Sequence, residues 1–388
     1  MDCPALTVGV LSTAKIARKN LLAIAHTDAV KAVCVGSRDA ARAQQFAEET
    51  GLTAVASYDA VLSSAVDAVY VPLPTALHAE WVSKAAAAGK HVLCEKPVAR
   101  SASELAPLLN AFAERDLVFM DGVMFRHHTR LDAMQKAIRG GALGAAGARH
   151  VSSAFAFRGD AAFLRDNIRV KVDGDPLGCL GDLGWYCVGL SLWAFGYDLP
   201  ARASATVHAQ TSEGVPLHMS CTLTWTDDPG SGSSSPASQG LGPPPPPRTA
   251  TFFCSFLHAE QQWAHIAGDE GVIEMEDFVI PFQPSSASFS VKKHVWGENA
   301  LAIDRQVRTE ETAEASAQEV RMWECFAAEC KASDDGRDGS RAFWRSVAMK
   351  TQVCMDALLA SAAQNGASVE VADVGTSACS GSRNGSSV

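Results

Sequence analysis

The sequence predicts an α/β chain in two parts: a doubly wound parallel sheet with helices on both faces, then an α+β part built on an open, mainly antiparallel sheet. Three observations carry this. The first 125 residues alternate apolar strand-like runs with helix-like runs. After about residue 150 long strand-like runs follow one another instead. Finally, 388 residues at 47% hydrophobic and 20% charged composition suffice for two folded cores.

In the first part the strand-like runs are "ALTVGVL", "VKAVCVG", "DAVYVPL", "KHVLCEK" and "LVFMDG", with helical patterns between them over 14–25, 40–49, 77–88 and 101–113. Runs so uniformly apolar are buried on both faces, as in a parallel sheet covered by helices. In the second part "ARHVSSAFAF", "RASATVHAQ", "HMSCTLTWT", "TATFFCSFL", "QWAHIAG" and "GVIEMED" include several that alternate polar and apolar residues. That pattern marks antiparallel strands with one solvated face, so helices are expected on the other. The Gly/Ser/Pro-rich segment 227–248 is expected to be an expanded, flexible hairpin loop, and residues 373–388 a disordered tail. The resulting division is 1–126, 127–372 and the tail.

Net charge of -10 and the lack of a basic face give no support to a nucleic-acid partner, and none is expected. No apolar run approaches the roughly 20 residues of a membrane-spanning helix. The start, "MDCPALTVGV", lacks the basic and apolar regions of a signal peptide, so a soluble, cytoplasmic protein is expected. The 11 cysteines contain no C-x-x-C pair and read as reduced thiols rather than metal ligands; no metal site is expected.

The first strand ends in "LSTAKIA", where a dinucleotide-binding turn would carry G-x-G-x-x-G; here the three positions are Ser12, Ala14 and Ala17. Those glycines serve a tight turn, close approach to a pyrophosphate and helix packing. Small residues weaken the motif without removing it, because N–H groups at a helix start still face a phosphate. At the second strand's tip, "VGSRDA" offers Ser37 and Arg38 where an NAD site would place a carboxylate. A hydroxyl and a guanidinium suit the 2′-phosphate of NADP, although an ordinary solvated arginine is the alternative. "VLCEKPVA" puts Glu95 and Lys96 at the carboxyl edge of the sheet, where such sheets bind ligands. Downstream, "GCLGDLGWYCVGL" approaches a helix on which Asp182 and Tyr186 share one face. Beside a cation Tyr186 could move a proton near neutral pH, or it could be a hydrogen-bonded core tyrosine.

Together with "VYVPLPTALHAEW" and its Pro72, Pro74 and His78, these motifs resemble the Gfo/Idh/MocA oxidoreductases over residues 6–371, Glu95-Lys96-Pro97 being the most specific signature. The likeness is closest to plant-type members and to the branch of dimeric dihydrodiol dehydrogenase and glucose-fructose oxidoreductase. The resemblance implies a Rossmann domain, a homodimer through the open sheet, and NADP(H) preferred over NAD(H). It implies catalytic roles for Lys96, Tyr186 and Asp182, with Lys96 holding the tyrosine pKa down. Cofactor contacts would come from Ser12, Thr13, Ala14, Lys15, Ile16, Ser37, Arg38, Pro72, Leu73, Pro74, His78, Glu95, Lys96 and Arg169. Met124, Phe125, Arg126, His128 and Trp185 would line the substrate cleft. Tyr186 stands where many inositol dehydrogenases carry histidine, which points away from that branch. The expected reaction is hydride transfer to or from a sugar, polyol or dihydrodiol; the rival is a non-catalytic NADP-binding sensor.

Overall fold

In the computed structural model, residues 4–226, 247–283, 286–293, 305–311, 317–332 and 337–372 are described. The first half runs β1 (Leu6–Leu11), α1 (Lys15–Ile24), β2 (Val30–Gly36), α2 (Ala40–Thr50), β3 (Thr53–Val55), α3 (Tyr58–Leu62), β4 (Ala68–Val71), α4 (Thr75–Ala87), β5 (His91–Cys94), α5 (Ala102–Glu114) and β6 (Phe119–Asp121). Its six strands are all parallel, in the order β3-β2-β1-β4-β5-β6. The order reverses between β1 and β4, which opens a crevice at their carboxyl ends. Every residue of β4 and β6 is buried, as the apolar runs require.

Gly36 shows why the sheet needs a glycine at the tip of β2: an added Cβ would lie 2.5 Å from the Ser57 carbonyl oxygen. The short β3 and α3 are not legible as separate elements in the sequence, because three and five residues carry too little periodicity.

A short 3-10 turn (Met124–His127) and α6 (Thr129–Arg139) lead to β7 (His150–Arg158), α7 (Ala161–Asp166) and a 3-10 turn (Ile168–Val170). A π turn (Leu180–Gly184) then opens α8 (Trp185–Ala194). The remaining elements are β8 (Arg202–Gln210), β9 (Pro216–Thr224), β10 (Thr249–Ser255), β11 (Leu257–Gln261), β12 (Ala264–Ala267), β13 (Gly271–Met275), β14 (Ser286–Lys293), β15 (Arg305–Glu311), α9 (Ala317–Lys331), α10 (Arg337–Ala363) and β16 (Val369–Glu370).

These strands form a ten-stranded sheet, β15-β14-β13-β12-β7-β10-β9-β8-β16, with β11 also paired to β7. All neighbours are antiparallel except β7 and β10. Ala203, Ala205, Met219, Cys221, Leu223, Ala250, Phe252 and Cys254 are buried on one face, which α8 and α10 cover. Ser220, Thr222 and Thr251 lie between them along the strands, giving the expected alternation.

β9 and β10 pair antiparallel, as a hairpin would; the Gly/Ser/Pro segment that joins them falls almost wholly outside the described residues, and so does the tail 373–388. One helix departs from expectation. α9 does not lie on the second sheet but packs against α1, β1 and β2 of the first, because Trp323 and Phe326 offer large apolar surface on one side of it. Among the described residues no helix is long and apolar enough to cross a membrane.

Candidate active site

A cavity of about 860 Å³ lies at the carboxyl edge of the parallel sheet. Ser12 and Ala14 follow β1, Arg38 follows β2, Pro72, Leu73 and Pro74 follow β4, Glu95 and Lys96 follow β5, and Gly122 and Met124 follow β6; all line it. The opposite wall comes from β7, the 159–183 stretch, α8 and α9.

At the first turn Ser12 adopts φ 147°, a region that favours glycine, and its Oγ accepts the Ala14 N–H at 3.1 Å. The serine thus occupies a backbone position for which the glycine fingerprint is suited. No side chain caps the start of α1, so its first N–H groups are not engaged by a cap and open on the cavity through Lys15 and Ile16. Thr13 is not among the lining residues.

Facing this turn is a cluster of charges around the buried Asp182. Lys96 Nζ donates to Asp182 Oδ1 at 2.6 Å and to the Asp182 carbonyl at 2.7 Å. Arg169 Nε lies 3.0 Å from the same Oδ1. Burial works against the Asp182 charge, but the two cations outweigh it and hold the carboxyl down to about 2. The π turn makes this contact. A Cβ at Gly181 would lie 2.6 Å from Leu177 Cβ and 2.7 Å from Pro97 Cγ, so only glycine lets the turn press so closely on the Lys96-Pro97 loop.

Tyr186 is buried with its Oη 3.6 Å from Met124 Sδ, and its ring packs on Phe155 and Phe125. The expectation that Lys96 lowers its pKa is corrected here. Lys96 Nζ sits over the ring face, 4.8 Å from the centroid, and its charge is taken up by Asp182. Burial, then the Glu95 and Asp182 charges, instead push the phenol well above its ordinary value. Glu95 is also raised by burial, and accepts Tyr70 Oη at 2.6 Å.

Asp175, which the sequence reading passed over, lines the same cavity. It is 5% exposed, and its Oδ1 has no hydrogen-bond partner. Its only sequence signal is an acid just ahead of the Gly-rich approach to a helix. Burial and the neighbouring Asp182 charge push it up to about 7, against the pull of Lys96 and Arg169.

Several expected contacts are placed elsewhere. Ser37 is buried and turns its Oγ to the Asp39 N–H at 3.2 Å, leaving Arg38 alone at the β2 tip. His78 is fully buried, its ring nitrogens each 2.8 Å from the carbonyls of Leu73 and Pro97, so it ties two lining loops together from behind. Arg126 makes a two-pronged ion pair with Asp121 at 2.7 and 2.8 Å, and Trp185 Nε1 reaches that carboxylate at 3.4 Å. Both side chains are sealed from the cavity in that buried pair.

His128 accepts the Arg130 N–H at the start of α6, and burial lowers it to about 4. Phe125 lies behind Tyr186. Met124, Arg169, Asp182, Tyr186, Lys96, Glu95, Ser12, Ala14, Lys15, Ile16, Arg38, Pro72, Leu73 and Pro74 do meet around one cavity.

Residues 6–123 match the oxidoreductase family with an NAD-binding Rossmann fold, Gfo/Idh/MocA. Over 366 residues the chain is 31% identical to D-xylose 1-dehydrogenase (NADP(+)) 2 of Haloferax volcanii, covering 94% of this chain and 99% of that protein. It is 39% identical over 232 residues to dTDP-3,4-didehydro-2,6-dideoxy-alpha-D-glucose 3-reductase of Streptomyces violaceoruber, covering 59% of this chain and 65% of that relative's length. Among solved structures, a 3-ketoreductase from Actinomadura kijaniata in complex with NADP and TDP-benzene superposes with a TM-score of 0.74 at 25% identity, covering 92% of this chain and 98% of that one.

Proposed function

Because this chain belongs to the Gfo/Idh/MocA family of NAD(P)-dependent oxidoreductases, we propose that it moves a hydride between NADP(H) and a carbinol or carbonyl carbon of a sugar, polyol or dihydrodiol. The observation that carries this is the meeting of Lys96, Asp182, Arg169 and Tyr186 around one cavity at the carboxyl edge of the parallel sheet.

The donor set fits a dinucleotide bearing a 2′-phosphate. Arg38 makes no ion pair among the described residues, and no carboxylate stands at the tip of β2 among the lining residues. The uncapped start of α1 and Lys15 add N–H groups and a cation beside it. When bound, the nicotinamide supplies or accepts the hydride.

This chain's residues handle the proton. Tyr186 keeps its hydroxyl proton until a carbonyl oxygen gains charge, then donates it from Oη; in the reverse direction the same oxygen accepts it. Lys96, fixed by Asp182, sets positive charge over the ring and stabilises the phenolate that remains. Asp182 holds Lys96 and Arg169 in place, and Arg169 orients substrate or cofactor. Xylose dehydrogenase and the sugar 3-reductase, as relatives, support a sugar-like substrate. A homodimer through the open face of the ten-stranded sheet, and a functional division near residue 126, belong to the same proposal.

Replacing Tyr186 with Phe, or Lys96 with Ala, is expected to cut turnover by about 10² or more while NADPH affinity is kept. Stopped-flow turnover and fluorescence titration read the two separately. Unchanged turnover in both variants would refute the assignment.

A further inference from the structure

Beside Tyr186 the charges balance only through Glu95. Lys96 Nζ and Arg169 Nε both engage the single Asp182 carboxylate, two cations on one anion. Glu95 lies in the field of the same two cations and forms an ion pair with neither among the described residues. Its carboxylate is fixed all the same. Oε1 accepts the Tyr70 hydroxyl at 2.6 Å, the Lys96 backbone N–H donates to the carboxylate as well, and Tyr70 is itself held by Asn20 at 2.8 Å. Gly122 makes room for it, since an added Cβ there would lie 3.2 Å from Oε1. Glu95 lines the cavity and is partly exposed. Of the charges that raise the Tyr186 phenol, that of Glu95 is the largest.

We propose that Glu95 is a redox-tuning residue: its clamped carboxylate favours the oxidised, positively charged nicotinamide over the reduced, neutral one, and so turns the site toward reduction of carbonyl substrates by NADPH. The inference rests on the oxidoreductase reading above. When a hydride passes to a carbonyl carbon and Tyr186 gives its proton to the oxygen, the nicotinamide ring changes from neutral to positively charged. Hydride transfer needs the ring in contact with that carbon, and proton transfer needs the carbon's oxygen within hydrogen-bond reach of Tyr186. The ring therefore gains its charge in the field of Glu95, which Tyr186 already feels. With Glu95 ionised, Lys96, Arg169, Asp182 and Glu95 sum to zero; without that carboxylate one positive charge remains and repels the oxidised ring. Burial raises the Glu95 carboxyl, while the Tyr70 hydroxyl and the two cations favour its ionised form. Tyr70, its own phenol pushed well up by burial and by Glu95, stays a neutral donor. A carboxylate so held keeps its field on the ring instead of turning toward Lys96 or Arg169. Asp175 belongs to the same group of charges and is common to every variant compared below.

The test measures Kd for NADP+ and for NADPH separately, by isothermal titration calorimetry without substrate, at about pH 8, well above the usual carboxylate range. It compares the wild-type protein, Glu95→Gln and Glu95→Asp. Glutamine keeps the shape of glutamate, and its amide oxygen still accepts from Tyr70, so the fold is kept; circular dichroism and Tm confirm this for both variants. Glu95→Gln is expected to raise Kd for NADP+ about tenfold and to leave Kd for NADPH within about twofold, the loss of one favourable charge contact felt by the oxidised ring alone. Glu95→Asp keeps the charge and should hold the ratio of the two constants within about threefold of wild type.

Equal weakening of both cofactor forms in Glu95→Gln, or no change in either, would overturn this inference and leave the oxidoreductase reading intact, because a group that only positions the cofactor acts on both forms alike. So would a Glu95→Asp variant as impaired toward NADP+ as Glu95→Gln, since charge would then not be the cause. A wild-type protein that binds neither NADP+ nor NADPH would overturn both.

Discussion

At the residue scale, the site depends on how two carboxyls of the same kind are driven apart. Asp182 and Asp175 are both buried, yet one is held down to about 2 by cations in contact with it and the other is pushed up to about 7 by burial and by its neighbour's charge. The signs for stability are opposite. The Asp182 contribution is present above its unfolded pKa near 4 and is lost as pH falls through about 2. Asp175, raised, favours the folded state most in acid and loses that advantage as pH rises from near 4 to about 7. Asp175→Asn should therefore flatten the decline in unfolding free energy across that window, read from urea melts at stepped pH. Asp182→Ala should cost about 3–5 kcal/mol, because it strands the largely buried Lys96 cation, and the same melts would show it. Arg38→Ala should raise KM for NADP(H) about tenfold through loss of one charged contact, and leave KM for NAD(H) unchanged.

At the scale of elements, turns decide the chemistry. The π turn Leu180–Gly184 brings Asp182 onto Lys96, and π turns recur at functional sites because they re-aim a side chain within a helix. Gly181→Val should push this turn off Pro97, break the Lys96 to Asp182 contact and depress kcat with little change in NADPH affinity. Steady-state kinetics beside a cofactor titration would check it. At the opposite wall, Ala14→Phe should weaken NADP binding, measured by fluorescence titration, because Ala14 lines the cavity at the start of α1. The long elements were legible: the predicted strands of the first sheet overlap β1, β2, β4, β5 and β6, since uniformly apolar runs have few alternatives. The π turn itself was not legible, because i,i+4 spacing reads as ordinary helix in any sequence.

At the scale of the whole molecule, the far end of the chain returns to brace the first sheet. Trp323 on α9 donates to Asn20 at 2.9 Å, Asn20 donates to Tyr70 at 2.8 Å, and Tyr70 donates to Glu95 in the cavity wall. A helix about 300 residues downstream of α1 thereby braces the same loop that carries Lys96. Trp323→Ala should cost about 3–5 kcal/mol, as expected for a fully buried tryptophan, and lower Tm in a calorimetric scan. Because the lost contact also frees Asn20 and Tyr70, Glu95 should lose part of its anchoring and activity should fall further than stability alone requires.

What the amino-acid order determined by itself was local: which runs are buried, where the parallel sheet turns antiparallel, and that Lys96, Asp182, Tyr186 and Arg38 sit at element ends where ligands bind. Those properties follow from periodicity and residue chemistry within a few positions. Only the tertiary structure decided which of the expected groups reach the cavity. His78, Ser37, Arg126, His128, Phe125 and Trp185 are spent on carbonyls, N–H groups, Asp121 or packing behind the wall, whereas Asp175 joins the residues that line the cavity. Hydrogen-bond partners and desolvation come from residues distant in sequence, and they set both the direction of a side chain and the charge it carries.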